Sequence, residues 1–271
     1  MHPQRDITPP RPHSRLSIAK LLLAARKGCL LERGMNCLLK LLCGCLLVSC
    51  CSAQASVVLG GTRIIYPSNK PEVQIALKNK DLHTRYLVQS WVSYPNDAKA
   101  PFIITPPVYK LQENRQTLLH IIFTGDKKSL PADRESLFLA NVKSVSALSP
   151  DLKDKNTLQF AMKTRLKLFW RPSALKEADA LRAFEKITFR RQGDKLIAKN
   201  PTPFYVSFGE LAVGGKSVPV VETKATPGAI SMMVAPFSEQ DFTLPGSAKG
   251  PVTWTTISDF GAQTPQREQA L

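Results

Sequence analysis

The stretch Leu158-Gln159-Phe160-Ala161-Met162-Lys163-Thr164-Arg165-Leu166-Lys167-Leu168-Phe169-Trp170-Arg171-Pro172 alternates apolar and polar side chains along most of its length. Every even position from Leu158 to Trp170 is apolar except Thr164, and most odd positions are polar or cationic. A period of two residues is typical of a β-strand. Because the usual strand has about five or six residues, the pattern predicts one unusually long strand, with part of its apolar row available to another chain.

Pro172 ends this predicted strand, because proline has no backbone N–H to donate to a ladder and restricts the residue before it. A more polar run from Ser173 to Asp179 follows. We therefore place a boundary after Pro172, with a first domain over residues 56–172 and a second over 173–271.

The first 55 residues resemble an export signal rather than part of a folded domain. From Met35 the sequence has a short basic start, an apolar run and a small-residue end at Ala53-Gln54-Ala55, which are the parts of a secretory signal peptide. We expect cleavage after Ala55, with Met35 as the true start and residues 1–34 as an upstream extension. An anchor in the membrane and lipidation at Cys50 are the alternatives.

The chain downstream of this leader has no cysteine, because all six cysteines lie between Cys29 and Cys51. Eight of the 37 basic and two of the 21 acidic residues also precede Ser56, which leaves 29 against 19 and a net charge of +10. Its cations are spread through strand-like segments rather than clustered with aromatic residues, and an exported protein does not meet nucleic acid. An acidic protein partner is therefore the expected target, with no nucleic acid and no membrane span in the mature chain.

Short alternating runs, separated by turn residues about every ten positions, fill both predicted domains. This spacing is typical of immunoglobulin-like β-sandwiches. The sequence therefore predicts an all-β protein of two immunoglobulin-like β-sandwich domains with a cleft between them.

Motifs for catalysis, metals and cofactors are missing from the mature sequence. It contains two histidines, His83 and His120, and neither a phosphate-binding glycine loop nor a Gly-x-Ser-x-Gly nucleophile motif. We therefore expect no enzyme activity, no metal and no cofactor. A secreted hydrolase lacks a visible nucleophile and base, and a structural fimbrial subunit or adhesin is the alternative function.

Several motifs together resemble the periplasmic chaperones of the chaperone–usher pathway, which assembles pili. They are Leu130–Val142 (Leu-Pro-Ala-Asp-Arg-Glu-Ser-Leu-Phe-Leu-Ala-Asn-Val), Lys167–Pro172 and Asn200–Val206. The resemblance implies an L-shaped pair of immunoglobulin-like domains. It also implies that the chain binds pilus subunits without ATP and delivers them to an outer-membrane usher.

The resemblance further implies donor-strand complementation, in which the chaperone lends a strand to a subunit whose own sandwich is incomplete. Here Leu158, Phe160 and Met162 correspond to the lent apolar row, although the pattern alone fits equally well if they fill the chain's own core. Arg63 and Lys167 correspond to the cations that anchor the subunit's C-terminal carboxylate. Lys167 has the opposite parity from the apolar row, so its side chain reaches the cleft only if that row faces inward near the hinge or a bulge intervenes.

An interdomain ion-pair set is also implied by the resemblance. Glu135 and Asp259 correspond to its acidic members, and the sequence suggests His120 at its arginine position. On its residues alone, His120 is more simply a hydrogen-bonded histidine in the middle of a strand. Residues 146–157 form a connection of about a dozen residues before the long strand, which resembles the short-loop subclass associated with rod-like pili.

Overall fold

The computed structural model describes residues 56–147, 156, 158–221, 228–246 and 248–271. The expected leader therefore lies outside the described residues, as do Met35 as start site, the lipidation of Cys50 and the cleavage after Ala55. Most of the connection over residues 146–157 lies outside them too.

The described chain begins with a sandwich of two sheets. The first sheet contains four strands: β1 (Val57–Leu59), β3 (Glu72–Asn79), β5 (Phe102–Thr105) and β7 (Gln116–Phe123). The second contains five: β2 (Arg63–Pro67), β4 (Tyr86–Ser93), β6 (Val108–Leu111), β8 (Ser136–Ser146) and β9 (Ala161–Arg171). Their orders are β1-β3-β7-β5 and β2-β9-β8-β4-β6, and all neighbours are antiparallel except β2 and β9.

Aromatic rings fill the core of this first sandwich. The rings of Tyr66 and Trp170 stack at a centroid distance of 5.2 Å, and Phe102 meets Phe138 edge-on at 4.8 Å. Trp170 and Phe138 belong to the strands that the alternation predicted, and both are buried. Their burial explains why the even positions near Pro172 are apolar.

A second sandwich follows, after two short helical segments, Glu177–Leu181 (α1) and the 3-10 turn Ala183–Lys186. One sheet has the order β10-β11-β15 and the other the order β13-β12-β16-β17, with β14 also pairing with β12. The bounds are β10 (Thr188–Gln192), β11 (Lys195–Asn200), β12 (Val206–Val213), β13 (Lys216–Ser217), β14 (Met233–Val234), β15 (Ser238–Thr243), β16 (Val252–Thr256) and β17 (Arg267–Gln269). Two further short helical segments are Lys127–Ser129 and α2 (Gly228–Ser231).

The predicted all-β architecture of two sandwiches is confirmed. Within the described residues, no helix is long and apolar enough to cross a membrane. The hydrophobic side chains form two separate cores, one in each sandwich, as the alternating pattern on either side of Pro172 predicts.

Strand β9 differs from its prediction at the start. The hydrogen-bonded ladder begins at Ala161, opposite Val145 of β8, rather than at Leu158. On its other edge, β9 pairs with β2 only from Lys167 to Arg171. Since β2 begins at Arg63, the edge of β9 from Ala161 to Leu166 has no strand beside it in the described structure.

Candidate functional site

The apolar row that precedes and enters β9 is exposed to solvent. Leu158, Phe160 and Met162 have exposed fractions of 81%, 74% and 56%. They do not fill the first core, whose members from this row are Leu166, Leu168 and Trp170. The Gln159 side chain donates a hydrogen bond to the backbone carbonyl of Ser146 at 2.6 Å, which ties this segment to the end of β8.

Three large apolar side chains are thus presented beside an open strand edge. An edge of unpaired N–H and C=O groups is a template for another strand. The arrangement can therefore supply both backbone hydrogen bonds and alternating apolar side chains to a second polypeptide.

Lys167 lies on the inward face of β9 without any β-bulge in the strand. The register between β8 and β9 is continuous from Ala161 to Trp170, so Lys167 lies on the face opposite Leu166 and Leu168. That face turns inward near the end of the strand: Phe169 is buried, and its ring centroid lies 5.5 Å from that of Tyr205 in the second sandwich.

Arg63 and Lys167 lie side by side, because they are register partners in the parallel pair β2–β9. Arg63 Nη1 donates to the carbonyl of Ile257 at 2.7 Å, and Lys167 Nζ donates to Ser207 Oγ at 3.0 Å. Both acceptors belong to the second sandwich. Neither cation forms a salt bridge with a carboxylate in the part of the chain that the structure describes.

Burial makes this pair of cations receptive to an anion. Burial, together with the neighbouring Arg63 charge, lowers the pKa of Lys167 to about 8. Burial also lowers the pKa of Arg63, although the charges of Asp259 and Glu135 oppose that effect. Arg63 Nε is buried without a hydrogen-bond partner. A carboxylate entering here would satisfy charged donors that the fold leaves underused.

A buried ion-pair cluster lies next to these cations and joins the two sandwiches. Arg171 contacts Glu135 at 2.7 Å and Asp259 at 2.7 Å. Glu135 also accepts a hydrogen bond from the backbone N–H of Tyr205 at 2.8 Å. Burial raises the pKa of Glu135, while Arg171 and the Tyr205 N–H act in the opposite direction. The cluster links the end of β9 to residues that follow β16.

The suggestion that His120 occupies the arginine position of this cluster is wrong. His120 lies on β7, where its Nδ1 is 3.0 Å from Glu72 Oε1 on the adjacent β3. The same nitrogen lies 3.4 Å from Gln74 Nε2. The face of β7 that carries His120 is opposite the one that carries Leu119 and Ile121 into the first core, so the ring lies on the outer face of the first sheet.

Arg171 is the residue that the sequence interpretation missed. The sequence analysis included Arg171 only as the last cation of the predicted strand and gave it no role. Its position on the inward-turning row, directly before the boundary proline, was the available signal. Ser207 and the Ile257 carbonyl were missed as well, and nothing in their local sequence identifies them as partners of Lys167 and Arg63.

Comparison with known proteins gives two adjacent family matches. Residues 56–176 match the N-terminal domain of the pili and flagellar-assembly chaperone PapD, and residues 182–268 match the C-terminal domain of the pili assembly chaperone PapD. The chain belongs to the PapD family of pilus-assembly chaperones.

Curated relatives and solved structures agree with this family. Chaperone protein FimC of Escherichia coli K12 is 38% identical over 215 residues, which cover 79% of this chain and 84% of FimC. FocC of Escherichia coli is 37% identical over 214 residues, covering 78% and 88%. One chain of the Salmonella enterica complex of SafA pilin with the SafB chaperone matches with a TM-score of 0.66 and 31% identity, covering 82% of this chain and 99% of that one.

The comparisons confirm the recognised family, the immunoglobulin-like fold and the pilus-assembly chaperone function, and they do not favour a structural fimbrial subunit. The periplasmic chaperone SfaE also matches, with a TM-score of 0.64 and 33% identity over 79% of this chain and all of SfaE, which supports a periplasmic location for this PapD-family chain. Chaperones of this kind are not typically enzymes.

Proposed function

We propose that this PapD-family chaperone holds a pilus subunit by adding its own β9 edge to the subunit's unfinished sandwich, and that Arg63 and Lys167 bind the subunit's C-terminal carboxylate. The observation that supports this most directly is the exposure of Leu158, Phe160 and Met162 beside an unpaired strand edge. That edge leads to two buried cations with no carboxylate contact in the described residues.

The geometry of β9 favours one direction for the bound strand. Since β2 occupies the β9 edge from Lys167 onward, a subunit strand has room only on the preceding part. The subunit's C-terminal carboxylate reaches Arg63 and Lys167 only if the subunit strand ends next to the start of β2. The subunit strand therefore runs parallel to β9, in line with β2. From Lys167 back to Leu158 is nine residues, a span of roughly 30 Å at the usual strand rise.

Burying the apolar row supplies most of the attraction. Each of the three side chains contributes about 1.5–3 kcal/mol when fully buried, and association and ordering consume part of that sum. The carboxylate contact sets the strand register more than it adds affinity. A slip of one residue would turn every side chain to the other face. A fixed strand end therefore keeps the apolar row of the chaperone aligned with the pockets of the subunit.

Further parts of the proposed function rest on membership of the PapD family. We propose that the chaperone acts without catalysis or a nucleotide and delivers its subunits to an outer-membrane usher. We also propose that it reaches the periplasm by cleavage of its leader after Ala55. The N-terminal mass of the exported protein tests the leader: a start at Ser56 is expected, whereas a lipid-modified Cys50 contradicts it.

The anchor is tested by Lys167→Ala and Arg63→Ala. We expect either change to abolish recovery of pilus subunits with the tagged chain from periplasmic extracts, as identified by mass spectrometry, while the thermal midpoint of the free chaperone is kept. Arg165→Ala is the matched control. Arg165 lies two residues before Lys167 on the same row, but it pairs with Asp97 at 2.8 Å, so its loss should leave recovery unchanged.

The lent row is tested separately by changing Leu158, Phe160 and Met162 together to serine. Subunit protection should fall sharply while export of the chaperone continues. Ile103→Ser is the control, because Ile103 is 53% exposed but lies on the other sheet. Full subunit recovery by the triple variant would refute the lent-strand mechanism.

A further inference from the structure

A surface contact joins the two sandwiches close in sequence to the buried ion-pair cluster. Arg134, in the segment before β8, places its guanidinium carbon 5.0 Å from the centroid of the Phe237 ring, which lies between β14 and β15. A guanidinium group over an aromatic face within about 6 Å is attracted by the ring. Because Arg134 belongs to the first sandwich and Phe237 to the second, this attraction acts across the junction.

Asp133 holds the arginine in place for this contact. Arg134 Nε donates to Asp133 Oδ1 at 3.0 Å, and Arg134 Nη2 donates to Asp133 Oδ2 at 2.8 Å. A two-pronged bond of this kind fixes the plane of the guanidinium group. The edge of the group is then occupied, and its flat face is left to stack on the ring.

The backbone of Phe237 is held in an unfavourable conformation. Its φ is +51°, in the left-handed region that favours glycine, and its side chain is 48% exposed and not part of the second core. A bulky residue keeps such a φ only where its surroundings impose it. Here the backbone N–H of Phe237 donates to the Thr202 carbonyl at 3.1 Å, and the Asn200 side chain donates to the Ala235 carbonyl at 3.0 Å. The second sandwich thus presents an aromatic ring, which its own packing does not require, at a position where glycine would be easier to accommodate.

Several other contacts across the junction meet a single area of the second sandwich. Lys167 donates to Ser207, and Arg63 donates to the Ile257 carbonyl. These two acceptors are neighbours, because the backbone N–H of Ile257 donates to the Ser207 carbonyl at 2.9 Å. The ion-pair cluster adds Asp259, two positions after Ile257. Contacts grouped in one area resist separation of the two sandwiches better than they resist a tilt of one against the other.

We propose that Arg134 and Phe237 form a latch that sets the orientation of the second sandwich relative to the first. Phe237 belongs to a different segment from the acceptors of Lys167 and Arg63, so its contact opposes a tilt that those contacts alone would allow. Arg134 is thus a positioning residue, which keeps the second sandwich within hydrogen-bond reach of the two anchor cations. The consequence for subunit binding rests on the proposed function, whereas the orientation itself does not.

The test measures this orientation in the free exported chain. Because the chain downstream of the leader has no cysteine, spin labels can be attached to Lys78→Cys in β3 and Lys195→Cys in β11, which are both exposed. Double electron–electron resonance then gives the distribution of distances between the labels. We expect one narrow distribution in the labelled parent chain and a distribution at least twice as wide in Arg134→Ala and in Phe237→Gly. Phe237→Tyr keeps the ring and should retain the narrow distribution.

Two controls separate the latch from general effects of substitution. Asn114→Gly changes an exposed residue of the first sandwich with a similar φ of +47°, and Arg182→Ala removes an exposed arginine that pairs with Glu185. Neither change should widen the distribution. Since glycine adopts a positive φ freely, the thermal midpoint of Phe237→Gly should change by no more than about 5 °C, so that widening in this variant does not reflect unfolding.

Three results would overturn the proposal: a narrow distribution in both Arg134→Ala and Phe237→Gly, a wide one in Phe237→Tyr, or equal widening in the two controls. Recovery of pilus subunits from periplasmic extracts, quantified by mass spectrometry, should fall about two- to fivefold in both latch variants. A wider distribution with unchanged recovery would support the latch and contradict its link to subunit binding. Failure of the latch and failure of the proposed function therefore give different results.

Discussion

The two halves of β9 have the same alternating pattern but opposite environments. In the half next to Pro172, Leu168 and Trp170 are completely or almost completely buried and both strand edges are paired. In the other half, Met162 is 56% exposed and one edge is free. The difference arises because β2 is only five residues long and begins opposite Lys167. An alternating apolar row therefore shows which side chains share a face, whereas the neighbouring strand determines whether the row is covered.

The largest effect should come from truncating an aromatic ring in the closed half. Trp170→Ala removes a ring that packs against Tyr66 and Phe123, and such truncations cost about 3–5 kcal/mol. Phe160→Ala, in the exposed row directly before the open half, should change the free energy of unfolding by less than about 0.5 kcal/mol but weaken subunit binding. Urea denaturation of both variants checks this, and similar losses of stability would contradict the division of β9.

Arg171→Met should cost nearly as much, because it leaves the buried Glu135 and the adjacent Asp259 without their ion-pair partner. Removing one partner of a buried ion pair typically costs about 3–5 kcal/mol. Denaturation at pH 7 measures the loss. The double variant Arg171→Met, Glu135→Leu should recover part of it, since the uncompensated buried carboxylate is then gone. An Arg171→Met chain as stable as the parent would show that the cluster does not stabilise the junction.

The pKa of Lys167 predicts opposite pH trends for binding and stability. In the proposed anchor, the subunit carboxylate binds the charged ammonium, so affinity should fall above pH 8, by up to tenfold per pH unit. Lysine in an unfolded chain titrates near 10.4, so between about pH 8 and 10.4 the unfolded state holds more protons and the folded state should gain stability.

Calorimetric titration and thermal melts from pH 7 to 10 measure the two trends. Lys167→Met is the control, because it removes the titrating group. Its binding should already be weak at pH 7 and should lack the decline above pH 8. A parent chain whose affinity is constant from pH 7 to 10 would contradict the role of Lys167.

The smallest effect is expected at His120, which sharpens the contrast with Arg171. Its pair with Glu72 lies on an outer sheet face with about a third of each side chain exposed, and exposed ion pairs contribute about 0–1 kcal/mol. His120→Ala should therefore change the free energy of unfolding by no more than about 1 kcal/mol at pH 7. A loss in the free energy of unfolding as large as that of Arg171→Met would contradict this surface role and support a role for His120 at the junction.

Much of the site could be predicted because it depends on local patterns. Alternation in Leu158–Trp170 identified the strand and its apolar row, and the resemblance to pilus chaperones drew attention to Arg63 and Lys167, which the fold places side by side. His120 was misassigned because the partner of a buried carboxylate depends on which strands meet in space. Arg171 and Glu135 are 36 positions apart, and Asp259 is 88 positions beyond Arg171, so no local pattern connects them.

The sequence by itself determined the all-β class, the two sandwiches, the family and the residues that share each face of β9, because side-chain periodicity and turn chemistry are local properties of the chain. The tertiary structure alone decided which part of the apolar row is exposed, which arginine joins the two sandwiches and why Lys167 carries a lowered pKa. Burial, strand neighbours and the distances between charges arise only when segments far apart in the chain are packed together.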